Sequence, residues 1–192
     1  MIAEQTIKSP RITNFEPSKI IGLISDTHVP SRAKRIPMKV FKIFEKADFI
    51  IHAGDLVDLS VIDKLEELAP VLAVQGNMDR QKVSGALPKI NSLKVLDWKI
   101  GVMHDPNTPF GKRKIREIAD QNGFDIFVYG HTHHAKIKWE GKILYINPGS
   151  PTDPDRPFIN KPSVGLLKLT KKNYKTRNYF SIKIFQHFRF KE

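Results

Sequence analysis

The sequence predicts an α/β fold, built as two packed sheets with helices outside or as one mixed sheet, and two observations carry that reading. Apolar runs of strand length alternate with stretches of helical periodicity through the first half of the chain. Five of the apolar runs end in a loop bearing Asp, Asn or His, as buried strands do where ligands bind. Residues 1–19, with Pro10 and Pro17, read as an N-terminal arm, and a single domain is expected over residues 20–192. The first strand is Ile20-Ile21-Gly22-Leu23-Ile24, running into Ser25-Asp26-Thr27-His28. A loop with Arg32, Lys34 and Arg35 leads to Met38-Lys39-Val40-Phe41-Lys42-Ile43-Phe44, whose apolar residues recur at helical spacing. A strand over 48–52 follows, then a helix over 58–68 with Leu59, Ile62, Leu65 and Leu68 on one face, then a strand over 70–75. Strand–helix–strand–helix–strand requires a parallel sheet.

The second half changes character. Residues 93–100 alternate and then become the apolar run Ile100-Gly101-Val102-Met103 into His104, which reads as a hairpin or a pair of strands. A helix is expected over 111–122, closed by Asn122-Gly123, then a buried strand over 125–129. Short alternating strands follow near 135–139, 142–146, 164–169 and 174–184, with Glu140-Gly141 and Lys172-Asn173 as turns. Phe180, Ile182, Ile184, Phe185, Phe188 and Phe190 make an apolar C-terminal end that either completes a sheet or forms a subunit contact.

With 40 % hydrophobic and 27 % charged residues in 192, the composition is that of a soluble globular protein. No apolar run is long enough to span a bilayer, and residues 1–18 hold Glu4, Lys8 and Arg11 rather than a signal-peptide core, which together point to a cytoplasmic protein. Cysteine is absent, so disulfides and thiolate metal sites are excluded. Lys and Arg number 32 against 20 for Asp and Glu, a formal charge of +12 that attracts phosphate-rich partners, nucleic acid included, or else solvates a Lys-rich surface. Lys112, Arg113 and Lys114 open the helix after His104, where cations oppose the helix dipole at about 0.3–1 kcal/mol each; a nearby anion would offset this.

The candidate site is the set of strand-end residues Asp26, His28, Asp55, Asn77, His104, His131 and His133. Taken singly, each fits a turn, a cap or an ordinary histidine, as His52, His134 and His187 do. Separate caps, however, have no reason to recur at successive strand ends with this chemistry. Asp26 and His28 lie two apart and can share one ion, Asp55 after Gly54 can bridge two, and Asn77 after Gly76 offers a neutral carbonyl oxygen. Oxygen and imidazole ligands without sulfur suit Mn²⁺, Fe²⁺, Ni²⁺, Co²⁺ or Zn²⁺ better than Ca²⁺. Two such ions about 3.5–4 Å apart can clamp the attacking and leaving oxygens of a phosphoryl displacement.

Ser25-Asp26-Thr27-His28, His52-Ala53-Gly54-Asp55, Gly76-Asn77-Met78-Asp79, Val102-Met103-His104, Tyr129-Gly130-His131-Thr132-His133 and Asn147-Pro148-Gly149-Ser150 stand in the order found in the calcineurin-like metallophosphoesterases. More narrowly, the chain resembles the small single-domain phosphodiesterases related to the retromer subunit Vps29. The resemblance covers roughly residues 20–184 and implies a four-layer αββα sandwich of two mixed sheets. It implies Asp26, His28, Asp55 and His133 on one ion and Asp55, Asn77, His104 and His131 on the other, with Asp55, Asn77 and His104 closest to the chemistry. Two divalent ions are expected, Mn²⁺ first, and a hydroxide held between them would attack a small phosphodiester in line. The family also makes a homo-oligomer an expectation. A non-catalytic protein-binding scaffold and a nucleic-acid-processing phosphoesterase are the alternatives.

Two positions depart from the pattern. Met78 stands where many members carry a histidine after Gly-Asn, and Asp105-Pro106 follows His104 where similar members have Gly-His. Both usual donors of a proton to the leaving oxygen are missing, and such a donor contributes typically about 10²–10⁴-fold. Weak activity on alkyl esters and better activity on leaving groups that need no proton are therefore expected, with Asp105 as a substitute acid or a plain loop residue. Arg32 and Arg156, the latter in the stiff 147–157 segment, are candidate phosphate contacts, since a planar guanidinium grips phosphate bidentately.

Overall fold

The strand-end loops meet because two five-stranded sheets pack face to face and bring the ends of their central strands together. The computed structural model describes residues 18–104, 111–153, 161–172 and 180–186. In chain order the elements are β1 (Ser18–Ile24), α1 (Met38–Phe44), β2 (Phe49–His52), α2 (Ser60–Glu66), β3 (Val71–Ala73), α3 (Gln81–Ala86), β4 (Ile90–Val95) and β5 (Trp98–Met103). After them come α4 (Gly111–Gln121), β6 (Ile126–Tyr129), β7 (Lys136–Glu140), β8 (Ile143–Asn147), β9 (Ser163–Thr170) and β10 (Phe180–Gln186). The first sheet has the order β10-β9-β1-β2-β3 and the second β4-β5-β6-β8-β7. β1, β2 and β3 pair parallel, as the crossover helices require, while β9 and β10 return antiparallel. In the second sheet β5, β6 and β8 are parallel, and the hairpins β4–β5 and β7–β8 supply the outer strands.

The period of two along each strand sorts its side chains into layers. Ile21 and Leu23 of β1, Ile51 of β2, Ile126 and Val128 of β6, and Leu144 and Ile146 of β8 fill the space between the sheets. Their neighbours Ile24 and Ile50 face outward under Val40 and Phe44 of α1, Val61 and Leu65 of α2 and Val83 of α3. On the far side Phe127, Ile143 and Tyr145 meet Ile115 and Ala119 of α4. Helices, sheet, sheet and helix make the expected four-layer αββα sandwich.

Two helices differ from the sequence reading. α3 was absent from it, because Gln81–Ala86 buries only Val83 and contains Ser84 and Gly85, so it shows no apolar period. The helix expected over 58–68 is α2, shorter at both ends. Of the strand expected over 174–184, residues 174–179 lie outside the described residues; from Phe180 it completes the edge of the first sheet against β9, the first of the two roles open to the apolar end. Among the described residues no helix is long and apolar enough to cross a membrane.

Asp48 ties the entry of β2 to β1 by accepting from Lys19 Nζ at 2.7 Å and from the Ile20 N–H at 2.8 Å. Burial pushes this carboxyl up, but the Lys19 and Ile20 donors outweigh it and hold it below the usual 3.8. A carboxyl depressed in the folded state adds stability above its unfolded value and loses it as pH falls through the lower folded value. Asp48→Asn is therefore expected to lower the urea midpoint at pH 6 and to narrow its gap to wild type as the pH falls below about 4.

Candidate metal centre

β1 and β2 run parallel, and their pairing continues past the sheet into the two loops that follow. The Asp26 N–H donates to Gly54 O at 3.0 Å, the His28 N–H to Asp55 O at 3.0 Å and the Val29 N–H to Leu56 O at 3.1 Å. This sets Asp26, His28 and Asp55 side by side, all three buried. The loop after β6 comes against them: the His131 N–H donates to both oxygens of Asp26 at 3.1 and 3.0 Å, and Ser25 Oγ donates to Asp26 Oδ2 at 2.6 Å. A Cβ at Gly130 would overlap Ser25 Oγ, so the loop's approach depends on that glycine.

Asp26, His28, Asp55 and His133 each offer a ligand atom, and these four atoms lie within 4.8 Å of one another. His133 Nε2 is 3.4 Å from Asp26 Oδ1 and 3.1 Å from His28 Nε2. A second group adjoins it, in which Asn77 Oδ1 lies 3.0 Å from His104 Nε2 and 2.9 Å from His131 Nδ1. Asp55 stands between the groups, with Oδ2 3.7 Å from His28 Nε2 and 3.5 Å from His104 Nε2. All seven strand-end residues singled out in the sequence thus come together.

The tautomers follow from the partners and show what the donor set fits. His104 Nδ1 sits 2.8 Å from Ala53 O and His133 Nδ1 2.5 Å from Asp153 O, so both rings donate there and turn bare Nε2 lone pairs inward. His104 Nε2 then faces the Asn77 carbonyl oxygen, and His133 Nε2 faces His28. Acceptors that converge in a buried place carry a cost that a cation between them removes. Burial holds the His28 imidazole down at about 4, against the pull of Asp55, and also lowers His104; both are neutral near pH 7, the form that ligates a metal. Burial, with the nearby Asp55 charge adding to it, pushes the Asp26 carboxyl well up in spite of its Ser25 and His131 donors. A divalent cation is the partner this donor set fits.

The backbone points the same way. Among the described residues seven non-glycine positions have positive φ, and five are candidate ligands: Asp26 (54°), His28 (46°), Asp55 (57°), His131 (74°) and His133 (54°). Such positions cost about 1–3 kcal/mol each and cluster where function holds them. Plain turns would have used Gly or Asn.

Asp79, Asn147 and Ser150 stand in the motifs quoted from the sequence, but what they bond to was not legible there. Asp79 accepts from the Val57 N–H at 2.6 Å and the Gly76 N–H at 2.7 Å, locking the Asn77 loop to the Asp55 loop. The Asn147 side-chain amide donates to Gly130 O at 2.9 Å, and Ser150 Oγ donates to Asp26 O at 2.7 Å. Met78 is half exposed, and its N–H donates to Asp55 Oδ1 at 2.7 Å. His52 is a buried neighbour of the site whose Nε2 is 3.1 Å from Thr27 Oγ1. His134 is exposed and donates its N–H to Thr132 Oγ1 at 3.4 Å. Arg32 stands at the rim, in an ion pair with Asp153. Arg113 is paired along α4 with Glu117 at 2.7 Å, which offsets part of the basic cluster there. Asp105, Pro106, Arg156, His187, Phe188 and Phe190 lie outside the described residues.

Residues 20–172 match the family model of the calcineurin-like phosphoesterase superfamily domain. The chain belongs to the calcineurin-like phosphoesterase superfamily. It is 38 % identical over 151 residues to a probable metallophosphoesterase of Methanothermobacter thermautotrophicus, covering 78 % of this chain and 86 % of that one. It is 33 % identical over 163 residues to a phosphodiesterase of Methanocaldococcus jannaschii, covering 81 % and 96 %. Among solved structures it is similar to Vps29 of Entamoeba histolytica in complex with zinc, with a TM-score of 0.66, 26 % identity and coverage of 87 % and 98 %. Membership of this superfamily accounts for the αββα sandwich and for a divalent-metal site at its strand ends.

Proposed function

We infer that the chain is a metal-dependent phosphodiesterase within one domain over residues 20–192, with two divalent cations per chain. The observation that carries this reading is the convergence of seven ligand-competent side chains, five of them on strained backbone, with the bare His104 Nε2 facing the Asn77 carbonyl oxygen. Asp26, His28, Asp55 and His133 would hold one ion, and Asp55, Asn77, His104 and His131 the other. Divalent cations bound there supply Lewis acidity toward a phosphoryl oxygen and lower the pKa of water. Mn²⁺ is the first choice, with Ni²⁺, Fe²⁺, Co²⁺ and Zn²⁺ as alternatives.

The chain's own residues set the orientation. Ser25 Oγ and the His131 N–H fix the Asp26 carboxylate, and the Met78 N–H fixes Asp55. His104 and His133 commit Nδ1–H to backbone carbonyls, so neither carries a proton toward a leaving oxygen. With Met78 in place of a histidine, a substrate whose leaving group departs without a proton is favoured. Arg32 at the rim and Arg156 are the phosphate contacts of this reading. The name of the Methanocaldococcus relative supports the diester over the monoester. The scaffold alternative would be favoured by lost ligands, and all seven are present. Lys34 and Arg35, exposed in the loop that follows His28, leave nucleic acid within the diester class.

The test compares a bis-aryl phosphodiester, the matching aryl monoester and an alkyl diester, using metal-stripped protein resupplied in turn with Mn²⁺, Ni²⁺, Fe²⁺, Co²⁺ and Zn²⁺. The aryl diester is expected to turn over fastest and the alkyl diester at least about 10²-fold more slowly. A faster monoester would make the protein a phosphomonoesterase, and no turnover with any of the five metals would favour the scaffold.

A further inference from the structure

Asp153 belongs to no ligand group and to none of the motifs that mark the site, yet it touches both sides of one half of it. Its backbone carbonyl accepts from His133 Nδ1 at 2.5 Å, and its carboxylate Oδ2 lies 3.2 Å from the same nitrogen. The same carboxylate is ion-paired with Arg32, whose N–H donates to His28 O at 2.8 Å. The Asp153 N–H in turn donates to Ser150 Oγ at 2.8 Å, and that hydroxyl donates to Asp26 O at 2.7 Å. Asp153 is thus bonded to the loops that present Asp26, His28 and His133. No described bond joins it to Asn77, His104 or His131.

We propose that Asp153 is a positioning residue for one metal subsite, that of Asp26, His28, Asp55 and His133, and not for the other. The inference rests on the two-cation reading above. A carboxylate behind a ligating histidine fixes its tautomer and ring orientation and raises its basicity. Here the Arg32 guanidinium holds that carboxylate in place from the other side. Without the Asp153 side chain, the His133 ring loses the carboxylate 3.2 Å from Nδ1, while its bond to the Asp153 backbone carbonyl stays, and the Arg32 link to the His28 loop is cut. Asn77 and His104 keep every bond described for them.

The test is a titration of Mn²⁺ into the metal-stripped full chain, with bound and free ion followed by electron paramagnetic resonance, for wild type, Asp153→Ala, Asp153→Asn and Asn77→Ala. Wild type is expected to show two classes of bound Mn²⁺. Asp153→Ala is expected to weaken one class by about 10–100-fold and leave the second unchanged. Asp153→Asn, which keeps the size of the side chain and an oxygen beside His133 Nδ1 but removes the charge, should fall between. Asn77→Ala should lose the class that Asp153→Ala keeps. Circular dichroism establishes that the variants are folded, and if Asp153→Ala is not, the isosteric Asp153→Asn carries the test through its selective weakening of the same class. Unchanged affinity in both classes, or an equal fall in both, overturns the assignment of Asp153. Fewer than two classes in wild type would instead overturn the two-cation reading.

Discussion

Asp55→Ala is expected to abolish metal-dependent diester hydrolysis, with a fall of at least about 10³-fold, the scale of losing some 4 kcal/mol of stabilisation of charge developing on phosphorus. Asp55 is singled out because its Oδ2 stands 3.7 Å from His28 Nε2 and 3.5 Å from His104 Nε2, so it is shared by both ligand groups. Every other ligand candidate belongs to one group. Its removal also leaves the Met78 N–H without its acceptor and loosens the loop that presents Asn77. Asp55→Asn separates the two losses. The amide keeps an oxygen for the Met78 N–H but has no charge to bridge two cations, so it should retain the fold and still lose most activity. Turnover in Asp55→Ala within about tenfold of wild type would remove the bridging role. The measurement is the rate of bis-aryl diester hydrolysis with Mn²⁺ at saturation.

Gly76→Ala is expected to do nearly as much damage without removing a single ligand. A Cβ on Gly76 would overlap Asp55 Oδ1 and crowd the Asp55 backbone nitrogen, and neither can retreat. Oδ1 is held by the Met78 N–H, and the Asp79 carboxylate that binds the Gly76 N–H also binds the Val57 N–H, so the two loops move together or not at all. Displacing a reacting group by about 1 Å costs on the order of 10²-fold in rate. Gly76→Ala should therefore lose about 10²-fold or more in hydrolysis and weaken Mn²⁺ binding, while circular dichroism stays that of wild type. Gly141→Ala is the contrasting variant, because Gly141 has nothing within 4 Å of its added Cβ. Its strain comes only from a φ of +59° in the β7–β8 turn, so it should lower stability and leave hydrolysis intact.

Much of the centre was legible because parallel strands announce themselves. Ile21 to Ile24, Ile50-Ile51 and Phe127-Val128 are apolar runs buried on both faces, and the residues just after such runs must gather at one edge of the sheet. That alone places Asp26, Asp55 and His131 together. The supports were not legible, because each acts across the chain with no local signature. Asp79 reaches Val57 across 22 residues, and Asp153 reaches His133 across 20. In the sequence Asp79 stands at the end of the Gly76-Asn77-Met78-Asp79 motif with no role of its own, and Asp153 in a stiff Pro-rich segment. The positive φ of Asp26, His28 and His133 could not be read at all, since residue type there favours ligation over backbone comfort. The choice between one mixed sheet and two packed sheets was left open by periodicity alone, and the order β6-β8-β7, with β8 inserted between β6 and its sequence neighbour β7, explains why.

The measurement that bears most directly on the account is a crystal structure of the protein soaked in Mn²⁺, with data collected for anomalous scattering at the manganese edge. Two peaks are expected per chain, one among Asp26, His28, Asp55 and His133 and one among Asn77, His104 and His131, separated by about 3.5–4 Å with Asp55 between them. No peak at these residues, or a single ion that leaves Asn77 and His104 still facing each other, would contradict it.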